Sequence, residues 1–168
     1  MTAALFDRFL STPAMAEVSG AAALVQGMLD FEAALARAQS AEGVIPGTAA
    51  AAIVAAWWVE HVDLEAIVSA GSVAGTLAIP LIEQLTARVA ADDAQAAGFV
   101  HWGSNSQDVI DTAIVLATRR AVALIDARLG DLTNALLTLV DAHGDAPMLG
   151  RTLLQPALDA QPLFQPPS

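Results

Sequence analysis

Apolar residues recur along this chain at the three- and four-residue steps of a helix, and almost nowhere at the two-residue step of a strand. In residues 19–43, Leu24, Met28, Phe31 and Leu35 step by four, three and four, which sets them on one helix face. Ser19 is placed to cap this helix, Gly43 to stop it, and Pro46 follows just beyond. Thr48 is placed to cap a second helix through "AAAAIVAAWWVEHV", and Asp63 a short third one ending at Gly71. A fourth begins at Pro80, a residue tolerated in a first turn, with Leu81, Leu85 and Val89 on one side. The longest pattern runs Ile110, Ile114, Ala117, Ala121, Leu124, then shifts one position to Ile125, Leu129, Leu132, Leu136 and Leu139. It predicts a helix from about Ser106 to about Ala142, interrupted if anywhere at Gly130, whose place in a helix interior costs about 1 kcal/mol. The predicted fold is all-α, and the proline-rich "LDAQPLFQPPS" that follows Ala157 is expected to be extended or disordered.

A helix of that length rises roughly 55 Å at 1.5 Å per residue, against a radius of gyration of about 15 Å for a compact chain of this size. It therefore calls for other long helices beside it, in the same assembly or a larger domain. Composition leads to the same place. Hydrophobic residues make up 55% of the 168 residues, and the surplus needs somewhere to be buried, a partner subunit being the simplest answer.

Charge and residue usage remove several functions. The chain carries seven Arg and no Lys against 18 acidic residues, a net charge of −11, which repels phosphate backbones and disfavours nucleic-acid binding. No cysteine is present, so thiolate metal sites and disulfides drop out. No run of residues is long and apolar enough to span a membrane, and "MTAALFDRFLSTPAMAE" has no basic region followed by an apolar core. A cytoplasmic protein is the expectation.

The chemistry concentrates in "VHWGSNSQDVIDTA", residues 100–113, where His101, Ser104, Asn105, Ser106, Gln107 and Asp108 precede a helix. Free backbone N–H groups and the positive end of the helix dipole suit a carboxylate ligand there. The plainer reading is that Ser104, Asn105 and Ser106 only cap the helix, although one cap needs one such side chain. A second cluster, "GRTLLQPA", offers Arg151, Thr152 and Gln155 after a permissive Gly150; Arg151 alone reads equally as a surface ion-pair partner. Of the three histidines, His61 reads as solvent-facing, His101 as either a hydrogen-bonded core residue or part of the site, and His143 as either a helix C-terminal residue or part of the site. No two share a metal-ligand spacing, and there is no nucleophile elbow, phosphate loop or dinucleotide fingerprint. What survives is anion recognition with proton transfer, without metal or cofactor.

In "HWGSNSQDVIDTA" and "GRTLLQPA", in that order, the chain resembles the fumarase/aspartase superfamily of lyases, and within it the cycloisomerase branch. The likeness extends over about residues 1–157, with "MLDFEAALARAQSAEGVIP" similar to the family's first helix and turn and "AIPLIEQLTARV" similar to the helix before the first motif. It implies an N-terminal helical region over 1–100, the start of a central helical-bundle domain over 101–157 carrying two signature regions, and a tail over 158–168 outside the family pattern. It also implies a homotetramer whose active sites draw on several subunits, a small tricarboxylate substrate, and a cofactor-free reaction in aromatic-compound breakdown that closes a lactone.

Carried over residue by residue, the resemblance makes Ser104, Asn105, Gln107, Arg151, Thr152 and Gln155 substrate-binding, with Asp108, Asp111 and Thr112 continuing the first motif into the helix. It makes His101, His143 and Ser106 the catalytic candidates. The departures are Asn105 where relatives have Thr, Leu153 where many have a proton-transferring His, and no lysine-bearing third region. The expectation is thus a truncated member of the family. A non-catalytic helical oligomerisation module and another superfamily lyase, such as one resembling adenylosuccinate lyase, are the alternatives.

Overall fold

The computed structural model describes residues 10–144, 148–151, 153 and 156–160. The chain divides into two compact units, Met1–Leu124 and Ile125–Ser168.

The first unit is helical throughout its described length. Helix α1 (Pro13–Ser19) is capped by Thr12, whose hydroxyl accepts from the Met15 N–H, with Pro13 at its first position. Ser19 does not open the next helix. It ends α1, its hydroxyl donating back to the Met15 carbonyl at 2.7 Å, and Gly20 leads into α2 (Ala21–Ala41). The buried face of α2 is Val25, Met28, Leu29, Glu32, Ala33 and Ala36, so the helix is turned about one position from the predicted Leu24–Leu35 stripe. Leu24 and Phe31 pack at the edge of this core. Gly43, in the left-handed conformation, follows the end of α2 as expected.

Helix α3 (Gly47–Ala55) begins after Pro46 rather than at Thr48 and stops well before Val62. The side chain of Gln26 explains the early stop: its Oε1 accepts from the Val59 N–H at 2.9 Å and its Nε2 donates to the Trp57 carbonyl at 3.0 Å. Those backbone groups are thereby withdrawn from a continuing helix. A single 3₁₀ turn, Val59–His61, leads to α4 (Leu64–Ala74), which Asp63 caps through the Ala66 N–H as predicted. Helix α4 runs past Gly71 to a left-handed Gly75. Gly71 is instead a packing position, since a Cβ there would lie 2.7 Å from Leu77 Cδ2.

Helix α5 (Ala78–Asp92) buries Leu81, Leu85 and Val89, the predicted face, with Pro80 in its first turn. A second 3₁₀ turn, Ala96–Phe99, hangs from the Asp93 carboxylate, which accepts from the Gln95 and Ala96 N–H groups. Helix α6 (Ser106–His143) has the predicted extent within a residue and passes through Gly130 without interruption. Its first turns belong to this core: Val109 and Ala113 are buried, and Ala113 lies so close to α2 that a Cβ on Gly27 would meet it at 3.3 Å. Arg120 and Asp30 join the two helices further along, 3.5 Å apart.

In the second unit α6 carries a half-exposed apolar row, with Ile125 at 47%, Leu129 at 53%, Leu132 at 54%, Leu136 at 53% and Leu139 at 56% of full exposure. Two short antiparallel strands follow, β1 (Met148–Arg151) and β2 (Pro156–Ala160), with Arg151 opposite Pro156 and an irregular register between Met148 and Gly150. No strand was expected from the sequence. Each is too short for a legible alternation, and Gly150, expected to permit a tight turn, is instead paired with Ala157 within the sheet. The residues beyond Ala160, where an extended or disordered tail was expected, lie outside those described. No described helix is long and apolar enough to cross a membrane.

Candidate functional site

The first polar cluster occupies the turn between the second 3₁₀ segment and α6. Its backbone is unusual at His101, whose φ of 57° is left-handed, a conformation costing a residue with a Cβ roughly 1–2 kcal/mol. Gly103, at φ 69°, takes the same conformation without that cost. Two side chains of α2 hold the turn in this shape. Gln39 Nε2 donates to the Trp102 carbonyl at 2.6 Å, and Glu32 Oε1 lies 2.6 Å from His101 Nδ1.

Glu32 is the single buried charged residue among the described ones, at 2% exposure. Burial pushes its carboxyl above the ordinary value near 4.5, and the contact with His101 opposes that rise in part. Its second oxygen, Oε2, is buried without a hydrogen-bond partner among the described residues. The imidazole of His101 keeps 17% of its side-chain surface exposed. No described group hydrogen-bonds Nε2.

The helix N-terminus itself is largely engaged. Asn105 Oδ1 accepts from the N–H groups of Gln107 and Asp108 at 2.9 and 3.1 Å, while its Nδ2 donates to Asp108 Oδ2 at 2.7 Å. Gln107 Nε2 donates to Asp111 Oδ1 at 2.6 Å. Asn105 is therefore the cap, which is the plainer of the two readings, and Gln107 braces the first turn. Ser104 is different: its hydroxyl oxygen is buried and unpartnered, as is Gln39 Oε1. Ser106 is half-buried. The turn thus sets His101, with a carboxylate behind it, three residues from an unused serine hydroxyl at a helix start.

His61 is exposed in its 3₁₀ turn, as expected. His143 is exposed in the last turn of α6, where the helix dipole favours a cation. Arg151 is on β1, Leu153 is 97% exposed between the strands, and Thr152 and Gln155 lie outside the described residues. A cavity of about 430 Å³ on the first unit is lined by Arg37, Ser40, Ala41, Ala50, Ala51 and Val54, none of them predicted, and Arg37 already lies over the Trp57 ring at 5.3 Å.

Sequence reasoning missed Glu32 and Gln39. A signal for Glu32 was present. It stands four residues from both Met28 and Ala36, so any face that buries those two must bury the carboxyl as well.

The first unit is helical and sets a His–Glu pair beside a polar helix start. A family model described as lyase matches residues 8–163, and the chain belongs to that family. Among its relatives, 3-carboxy-cis,cis-muconate cycloisomerase of Pseudomonas putida is 46% identical over 157 residues, covering 94% of this chain and 37% of the relative. Nitrosuccinate lyase of Streptomyces davaonensis is also 46% identical, over 142 residues, covering 84% of this chain and 30% of the relative. The crystal structure of the 3-carboxy-cis,cis-muconate lactonizing enzyme from Pseudomonas putida superposes with a TM-score of 0.85 at 45% identity, over 91% of this chain and 35% of that one. The chain thus spans about a third of the length of the relatives it matches.

Proposed function

We propose that this chain supplies the first part of a 3-carboxy-cis,cis-muconate cycloisomerase site, in the protocatechuate branch of the β-ketoadipate pathway in the cytoplasm. The observation that carries the reading is the His101 turn, strained, held from α2, and set at the start of α6. The 46% identity to the Pseudomonas putida enzyme supports the choice of substrate. In the reaction one carboxylate oxygen of the substrate adds across its own double bond. A C–O bond forms, the π pair moves to the neighbouring carbon, and that carbon takes a proton, so no metal or cofactor is required.

The residues divide by chemistry. Ser104 offers its unpaired hydroxyl to a substrate carboxylate, and the second region, through Arg151, Thr152 and Gln155, takes the remaining negative charge. Asn105 and Gln107 shape the helix start through the bonds that already engage them, and so act on the substrate chiefly by placing Ser104 and Ser106. His101, His143 and Ser106 are the groups proposed to carry protons. The domain reading places 1–100 in an N-terminal helical region and 101–157 at the start of a helical bundle, with 158–168 as a tail.

Assembly is part of the proposal. The half-exposed row on the second half of α6 is the kind of contiguous apolar surface that marks a protein contact, and we assign it to other copies of the chain in a homotetramer.

A specific observation favours one further reading. Identity to nitrosuccinate lyase equals that to the cycloisomerase, so elimination from a substituted succinate is the second candidate. The experiment is thermal protection and turnover with both substrates, with lactone or alkene product identified by NMR. Protection and lactone formation with 3-carboxymuconate support the first reading. Protection or turnover confined to nitrosuccinate supports the second, and neither with either substrate contradicts both.

A further inference from the structure

We propose that Glu32 is the positioning residue of His101, its carboxyl holding a proton on the ring's Nδ1 and leaving Nε2 as the nitrogen open to proton exchange. The argument starts from the 2.6 Å separation of Glu32 Oε1 and His101 Nδ1, a distance that requires a proton between the two atoms.

An ionised carboxylate only accepts hydrogen bonds, and a neutral imidazole carries one N–H. With one proton on the dyad, that proton sits on Nδ1, and Nε2 is left with its lone pair. With two protons, the inner one is shared between Oε1 and Nδ1 and the other is on Nε2, whether the pair is written as carboxylate with imidazolium or as carboxylic acid with neutral imidazole. The change between the two states therefore occurs at Nε2 in either description. This is the nitrogen without a partner among the described residues, on a ring that keeps partial exposure.

Three further observations fit a pair held for this purpose. Glu32 is enclosed at 2% exposure, and Oε2 has no partner among the described residues, so that among them His101 orients the carboxyl. Burial raises the pKa of its carboxyl, and the contact with His101 opposes that rise. Gln39 ties the Trp102 carbonyl to the same helix, so the backbone of the turn that carries His101 is held to α2 at a second point. A histidine kept only for packing would need neither the left-handed backbone nor a buried acid behind it.

The state of the ring does not depend on the reaction assigned above; only its use as a proton carrier toward substrate rests on that reading. The test is therefore spectroscopic. Long-range 1H–15N spectra of the ring-labelled full chain, assigned by loss of the His101 signals in His101→Ala, report the tautomer directly. At alkaline pH, wild-type His101 is expected as Nδ1–H with a bare Nε2, whereas exposed His61 shows the Nε2–H form usual in water. In Glu32→Leu the Nδ1–H form is lost and His101 comes to resemble His61. A wild-type His101 in the Nε2–H form overturns the proposal without any variant, as does an unchanged tautomer in Glu32→Leu. Absence of turnover with either substrate leaves these spectra as they are, so the two readings fail separately.

Discussion

Replacing His101 with Ala strands a carboxyl inside the helical core. Glu32 is 2% exposed, its Oε2 is already unpartnered, and the substitution removes the partner of Oε1. The side-chain hydrogen bond and the charge of His101 both lower the pKa of that carboxyl, so their loss drives a value already raised by burial higher still. Because the folded-state pKa exceeds the unfolded one, the folded form holds the extra proton between the two values, and stability falls as pH rises through the folded pKa. Below about 4.5 both states are protonated, and the variant loses little more than one hydrogen bond, about 1–1.5 kcal/mol. Once Glu32 must ionise, the loss grows to about 3–5 kcal/mol, the usual cost of breaking a buried pair. For a chain of this size that corresponds to a fall in Tm of roughly 6–20 °C. Urea unfolding of both proteins, followed by circular dichroism at fixed protein concentration across a pH series, measures the difference. The variant should diverge from wild type as pH rises, and Glu32→Gln in the same background should flatten the divergence. A difference that is constant with pH, or largest in acid, would refute the role given to Glu32.

Asn105→Ala removes the acceptor for two N–H groups at the start of α6 and should cost about 1 kcal/mol in urea unfolding, with Asn105→Ser recovering most of it. Gly27→Leu forces a side chain into the α2–α6 contact, where even a Cβ would sit 3.3 Å from Ala113, and should destabilise by about 1–3 kcal/mol in the same assay. Leu132→Glu puts charge on the half-exposed row of α6; light scattering should show a smaller particle, with helicity by circular dichroism retained.

The helices of this fold were readable wherever one face alternates cleanly with the other. Leu81, Leu85 and Val89 marked α5, and the shifted stripe from Ile110 to Leu139 gave α6 its extent to within a residue. The boundaries that went astray are those set by a side chain far away in sequence. Gln26 ends α3 through contacts more than thirty residues distant, and Gly71 looked like a stop because its packing against Leu77 is invisible locally. Helix α1 was missed, although Thr12–Pro13, a cap followed by a first-position proline, marks its start. At the site, the sequence located the His101–Gln107 turn, and the structure divided its members into a cap, a brace and an unpaired hydroxyl. Glu32 escaped because a carboxyl on an apolar face reads as a flaw in the pattern until its partner, 69 residues away, is known.

The central claim is that the half-exposed apolar row of α6 is a contact surface for other copies of this chain. The most direct measurement is the mass of the purified chain in solution, by light scattering over a range of concentrations. The account predicts a defined species near four times the 17.2 kDa of the chain, persisting on dilution and reduced by Leu132→Glu. A helical monomer at every concentration would contradict it.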